Sequence, residues 1–279
     1  MTVPDEMRRD EARWSSNLDV SERMRLAAAG IPPHGRALVW MWAMQQYDPT
    51  PTATMEDATV DESLLTLIAA DACRAKPSLG AAYSTDDAAG TQLVARILAH
   101  GLTAANVPYT QPLVYLGLGV VVGTGALYDP SNVPHAAAIV RATLARLAPT
   151  ARRVEVWLRH LSLHVEANLP RLAEHFTAES VFVETFAGRW LSTLFLFDLP
   201  VPVALRVWDS VLLEGTPDPV VRGALALLAL HHDTLLDLDG PSQIRFLKDA
   251  TGLLPTYEMQ GLFVRYLAEH ANDEAGSIV

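Results

Sequence analysis

Asp71 and Arg74 stand three residues apart in the stretch IAADACRAKP, with Cys73, the single cysteine, between them and Pro77 just beyond. On a helix that spacing puts an acid and a guanidinium on one face. As an ordinary exposed ion pair it contributes only a few tenths of a kcal/mol. Cys73 lies beside a cation, yet no histidine stands near it in sequence to make it a nucleophile, so it reads as an ordinary thiol. His160 and His164, four apart, have the spacing of two metal ligands on one helix face. Leu161 occupies the place of a metalloprotease glutamate, and a third ligand would have to come from elsewhere. His231, His232 and Asp233 are consecutive, so their side chains diverge around a helix and read as a polar helix end. GLGVVVGTG is glycine-rich like a phosphate loop but departs from G-x-G-x-x-G, and no strand signal precedes it. Its glycines better suit close packing of neighbouring helices. The stretch Gly276-Ser277-Ile278-Val279 places a hydroxyl two positions before an apolar carboxylate, a pattern suited to strand addition on a carboxylate-binding domain.

The elements that must carry these residues are helical. DVSERMRLAAAG offers Asp19 as a cap, Glu22 three residues later and Gly30 as a stop. A turn at Pro32-Pro33 leads into the apolar-faced HGRALVWMWAMQQY, and DPTPTATMEDATV has loop composition. Asp61 starts the helix that contains Asp71 and Arg74, and Pro77 is expected to end it, leaving a loop that projects the arginine. Ser84 caps an amphipathic helix through Leu102, loosened by Gly90. Pro112 fits the first position of a fully apolar helix, buried on all sides. Helical patterns follow in PHAAAIVRATLARL, in RRVEVWLRHLSLHVEANLPRLAEHF, around Trp190 and Trp208, in PDPVVRGALALLALHHDTLL and in YEMQGLFVRYLAEH. Strand signals are almost absent, and there is neither a fixed-period repeat nor a linker-like segment. The pattern predicts one all-α domain with room for two lobes.

Composition narrows the function. The 279 residues are 50% hydrophobic and 19% charged, which excludes general disorder and permits a large core. A formal net charge of -11 argues against phosphate-backbone binding, since no counterion-release term is available, but it suits a protein partner with a basic rim. One cysteine cannot form an intrachain disulfide, consistent with a reducing compartment. The N-terminal MTVPDEMRRDEARW is too polar for a secretory signal, and the apolar core LVYLGLGVVV is too short to span a bilayer. A soluble, cytoplasmic protein is expected.

Four segments, in order, resemble the TBC domain family, the GTPase-activating domains that act on Rab GTPases. They are Gly30-Ile31-Pro32 with Arg36 and Trp40; Ile68, Asp71 and Arg74 in I-x-x-D-x-x-R; Tyr109 and Gln111 in Y-x-Q; and FAGRWLSTLFLFDLPVPVALRVWDSVLLEG. The last carries Trp190, Leu194-Phe195, Leu199-Pro200, Trp208-Asp209 and Glu214-Gly215. The resemblance runs from about Trp14 to the last helices. It implies a two-lobed, V-shaped all-α domain over residues 14–271, with an extension at 1–13 and a tail at 272–279.

The resemblance also implies roles. Arg74 would be an arginine finger, inserted in trans to stabilise charge on the transferring phosphoryl group, a task suited to a planar, permanently charged fork. Gln111 would be a glutamine finger, its carboxamide orienting the attacking water without titrating. Asp71 and Tyr109 would support them. The expected partner is a GTP-bound Rab-family GTPase that brings the GTP and Mg2+, and the chain has no cofactor of its own and no metal site. It would accelerate its partner's hydrolysis rather than turn over a substrate. An adaptor protein would bring it to endomembranes. The family commonly has threonine after the arginine and reads G-Y-C-Q-G-M-N at the second finger. Here those positions are Ala75 and Pro108-Tyr109-Thr110-Gln111-Pro112-Leu113-Val114. That departure motivates an alternative, a non-catalytic TBC module that binds a Rab or another trafficking protein as a scaffold.

Overall fold

A computed structural model describes residues 31–47, 60–79, 88–249 and 253–269, and these are helical with no strand among them. The predicted Asp19 helix, the Ser84 cap and the terminal Gly276–Val279 pattern lie outside the described residues, as does most of the loop after Tyr47. The chain divides into two compact units. One is built from the described residues up to Ala148 together with Leu212–Gly215, the other from Pro149–Val211 and from Thr216 onward.

In the first unit a 3-10 turn at Pro33–Gly35 leads into α1, Arg36–Tyr47, as the double proline predicts. Helix α2, Glu62–Leu79, starts at Asp61, whose Oδ1 accepts from the Ser63 amide at 2.9 Å. The acid satisfies an amide that the first turn would otherwise leave without a partner. Ile68, Ala69, Ala72 and Ala75 form the buried stripe of α2, facing α3, Ala88–Ala105, and α4, Leu113–Gly123. Helix α4 is buried nearly all round, as its unbroken apolar run predicts. A Cβ on Gly117 would sit 3.3 Å from that of Leu98, so the glycine permits the close approach of α4 to α3. Pro112 falls one residue before the helix rather than at its first position. Helix α5, Val133–Leu147, packs against α1, α3 and α4.

One expectation fails here. Helix α2 does not stop at Pro77 but continues to Leu79, so Arg74 projects from a helix and not from a loop. A proline this close to a helix end forfeits a single backbone bond, and the remaining turns hold the helix together.

The second unit contains α6, Ala151–Asn168; α7, Pro170–Ala178; α8, Val183–Ser192; and α9, Val201–Glu214, whose last three residues count with the first unit. The long pattern predicted from Arg152 to Phe176 breaks at Leu169, where Pro170 cannot continue α6 and instead opens α7. Helices α10, Asp218–Leu230, and α11, His232–Leu236, split at His231. Helix α12, Gly240–Lys248, was not anticipated, although Asp239 caps the Ser242 amide at 2.9 Å and Pro241 sits in the first turn. Helix α13, Tyr257–Glu269, follows and packs on α10.

The core of this unit is aromatic. Phe176, Phe186, Trp190 and Phe195 form a chain of tilted rings with successive centroids 5.9, 5.2 and 6.1 Å apart. Trp190 and Trp208 are both fully buried, as packing residues should be, and Trp208 Nε1 donates to the Leu194 carbonyl at 3.0 Å. Leu194 and Phe195 hold φ of 47° and 65°, a left-handed backbone that costs roughly 1–2 kcal/mol per non-glycine residue. The Phe195 amide closes the end of α8 by donating to the Trp190 carbonyl at 2.8 Å, and the buried rings hold the turn in place.

Candidate functional site

The residues singled out by I-x-x-D-x-x-R and Y-x-Q meet within the first unit. Ile68 and Asp71 belong to the buried side of α2, whereas Cys73 and Arg74 belong to its exposed side. Asp71 keeps only 5% of its side-chain surface and Arg74 keeps 68%. One oxygen of Asp71 accepts a charge-assisted hydrogen bond from Arg74 Nη2. The other accepts from the Tyr109 hydroxyl at 2.7 Å. Among the described residues these are the two partners of the carboxylate, and each uses a different oxygen.

Tyr109 reaches Asp71 because the chain reverses sharply after α3. Asn106 adopts φ of 51°, and the Val107 amide donates back to the Leu102 carbonyl at 3.0 Å. This is the left-handed helix stop that asparagine tolerates better than most side chains. The segment from Val107 to Thr110 then runs without regular structure until a turn at Gln111-Pro112 starts α4. The Gln111 carbonyl accepts from the Val114 amide at 3.1 Å, so its backbone is part of that start while its side chain is exposed. Burial, followed by the hydrogen bond to Asp71, pushes the Tyr109 phenol well above its ordinary pKa. It therefore remains a donor at any physiological pH.

Chemically the site presents an exposed guanidinium that, among the described residues, is bound through Nη2 alone, and an exposed carboxamide on the loop tied to it through Tyr109 and Asp71. It presents no nucleophile–base pair. The other candidates go elsewhere. His160 and His164 are both half-buried on α6, and burial holds His164 below its ordinary pKa. Among the described residues no group of three His, Cys, Asp or Glu side chains is arranged to hold a metal ion. His231 corrects the expectation of a polar helix end: it is buried, 2.6 Å from the Leu253 carbonyl through Nε2 and edge-on to the Phe246 ring at 4.9 Å. Only His232 and Asp233 form the expected polar pair, at 2.8 Å. No described helix is long and apolar enough to cross a membrane.

Sequence reasoning missed the Arg189–Asp198 pair. Arg189 Nε donates to Asp198 Oδ1 at 2.9 Å, its Nη2 donates to the Lys248 carbonyl at 3.0 Å, and its guanidinium lies 4.4 Å from the Phe197 ring centroid. The nine-residue spacing matches no helical period, so nothing local announces the pair.

Comparison with known proteins supports the family resemblance independently. The fold matches the crystal structure of the Chlamydomonas flagellar RabGAP TBC domain with a TM-score of 0.68, at 18% identity, covering 95% of each chain. It matches the Ypt/Rab-GAP domain of Gyp1p equally well, with a TM-score of 0.68 at 16% identity, covering 95% of this chain and 98% of that one. Residues 143–236 match the Rab-GTPase-TBC domain family. The chain has the fold of these TBC domains. In sequence the chain is 26% identical over 220 residues to human Ecotropic viral integration site 5 protein homolog, covering 77% of this chain and 26% of the relative. It is 39% identical over 74 residues to TBC1 domain family member 12 of Xenopus tropicalis, covering 26% of this chain and 11% of that protein. The chain thus spans about a quarter, or less, of the length of these relatives. The family match begins at Thr143, beyond both Arg74 and Gln111.

Proposed function

We propose that this TBC domain accelerates GTP hydrolysis by a Rab-family GTPase, with Arg74 and Gln111 acting in trans. The partner brings GTP and Mg2+. Arg74 spreads positive charge over the oxygens that gain charge as the phosphoryl group transfers. Gln111 accepts from and donates to the attacking water, a role that needs a neutral group able to do both. The observation that carries this reading is the Tyr109–Asp71–Arg74 chain of hydrogen bonds. It ties the loop bearing Gln111 to the helix bearing Arg74 while leaving both functional side chains exposed. A surface ion pair with no further task does not need a buried acid and a phenol behind it.

Single-turnover GTP hydrolysis across a panel of GTP-loaded Rabs, with wild type and Arg74→Ala side by side, tests the proposal. Stimulation of one or a few Rabs should fall about 10³–10⁵-fold without Arg74. Equal stimulation by both proteins removes Arg74 from the mechanism. The scaffold reading draws on the exposed Pro108 and half-buried Pro112 around Gln111, which fix the loop backbone. GTP-dependent binding without stimulation is its signature. An adaptor that recruits the domain to endomembranes is part of the same proposal, and a pull-down with the complete polypeptide tests it.

A further inference from the structure

We infer that Tyr109 is the donor that allows Arg74 to leave Asp71, so that the finger is stored on a buried carboxylate and released to the partner's phosphates. This rests on the activator reading and goes beyond it, assigning a task to a residue that touches neither nucleotide nor water. Tyr109 is a positioning residue here, and Asp71 is the group through which it acts.

The argument starts from the burial of Asp71, which is 4% exposed. A carboxylate so deeply placed is costly to strip of its donors. Arg74 must swing away from it to reach a phosphoryl group on another protein. Were Arg74 the only donor, each insertion would leave a bare buried charge, and the acid would hold the finger back. The second oxygen, occupied by the Tyr109 hydroxyl at 2.7 Å, changes that balance. When Arg74 departs, the carboxylate keeps a donor that is itself half-buried and does not ionise.

The geometry suits transfer in a second respect. Arg74 spends Nη2 on Asp71, and 68% of its side chain faces solvent. A guanidinium carries five N–H donors in a flat fork. Incoming phosphate oxygens can therefore engage its outer donors before the Asp71 bond breaks. Tyr109 also belongs to the Gln111 loop, so the bond that compensates Asp71 keeps that loop in place as Arg74 moves.

The test uses Tyr109→Phe, Asp71→Asn and the double variant. They are assayed in single-turnover hydrolysis with a Rab that the wild type stimulates, and the Arg74 guanidinium is followed by NMR in the uncomplexed protein. Tyr109→Phe should lower the saturating rate roughly tenfold, with little change in the half-saturating concentration. Adding Asp71→Asn should recover most of that loss, because a neutral amide no longer retains the finger. In the uncomplexed protein, rotation about Arg74 Nε–Cζ should slow in Tyr109→Phe and quicken in the double variant. A merely structural role predicts that the two losses add. Additive losses, or guanidinium rotation unchanged by Tyr109→Phe, overturn the inference. If the wild type stimulates no Rab, the activator reading falls, and the NMR comparison alone decides whether Tyr109 governs the hold of Asp71 on Arg74.

Discussion

The Asp71–Arg74 pair of the first unit and the Asp198–Arg189 pair of the second are built to opposite ends. In the second unit Asp198 is fully buried and Arg189 is 38% exposed, with Nε and Nη2 spent on Asp198 and on the Lys248 carbonyl and its flat face against Phe197. In the first unit Asp71 is also hidden, but among the described residues Arg74 is committed through one nitrogen, with 68% of its side chain exposed. The ion pair is chemically the same in both. What differs is how many of the guanidinium's donors the protein itself consumes. An arginine bound to two separate segments is cement between them, whereas one with most of its donors to spare can serve a ligand. Sequence spacing conveys the reverse impression, because the helical i,i+3 pair looks structural and the nine-residue pair goes unnoticed.

The sharpest way to break this comparison is to delete both arginines. Arg74→Ala should cost about 10³–10⁵ in stimulated hydrolysis, roughly 4–7 kcal/mol of barrier, with the thermal unfolding midpoint almost unchanged. Arg189→Ala should do the converse. Its expected cost is about 3–5 kcal/mol of stability at neutral pH, because it leaves Asp198 buried without its partner. Burial already pushes the Asp198 carboxyl above its usual range, against the opposing pull of Arg189, and Oδ2 has no partner among the described residues. A carboxyl raised in this way is tolerated when protonated and penalised when charged. The Arg189→Ala defect should therefore shrink as pH falls and Asp198 takes up a proton. Denaturant titrations at pH 7 and pH 5 would show it, and a pH-independent defect would refute that account.

Trp190→Ala should lower stability by about 3–5 kcal/mol, since it opens the centre of the ring chain between Phe186 and Phe195. Apart from lost folded protein, the activity of the first-unit site should be unaffected, so rates need to be scaled to the folded fraction. Trp208→Phe is milder. It keeps most of the ring volume and removes the donor to the Leu194 carbonyl, for about 1 kcal/mol in chemical denaturation.

The smallest effect concerns His231, whose pKa burial holds below its ordinary value. A histidine depressed in the folded state takes up protons more readily when unfolded. Stability should therefore be fully present above the unfolded pKa, near 6.5, and decline as pH falls below it. His231→Gln should flatten part of that decline. His100 and His164 are depressed by burial too and will keep the remainder.

Legibility followed the range of the forces involved. Helices α1, α4, α5 and α13 could be read because apolar period and breakers lie within a few residues of one another. The Asp61 cap could be read for the same reason. Helix α12 was equally signalled by Asp239 and Pro241 but is short, and its polar content hid it. The break at Leu169 and the continuation past Pro77 went unread because each depends on whether neighbouring turns and contacts offset a proline. His231 was misjudged because adjacent histidines look polar, and its burial follows from the arrival of Leu253 and Phe246.

By itself the amino-acid sequence determined an all-helical chain and the order of its motifs, and it put a candidate finger at Arg74 and another at Gln111. Tertiary structure decided which donors those residues retain. Asp71 is buried because α2 packs its alanine-lined face against α3 and α4, and it meets Tyr109 from 38 residues away. Arg189 gives a further donor to a carbonyl 59 residues distant. Local periodicity and capping are written in neighbouring residues, so they can be read from the chain alone. Burial and donor count depend on which helix faces meet, and that is settled only when distant segments compete for the same interior.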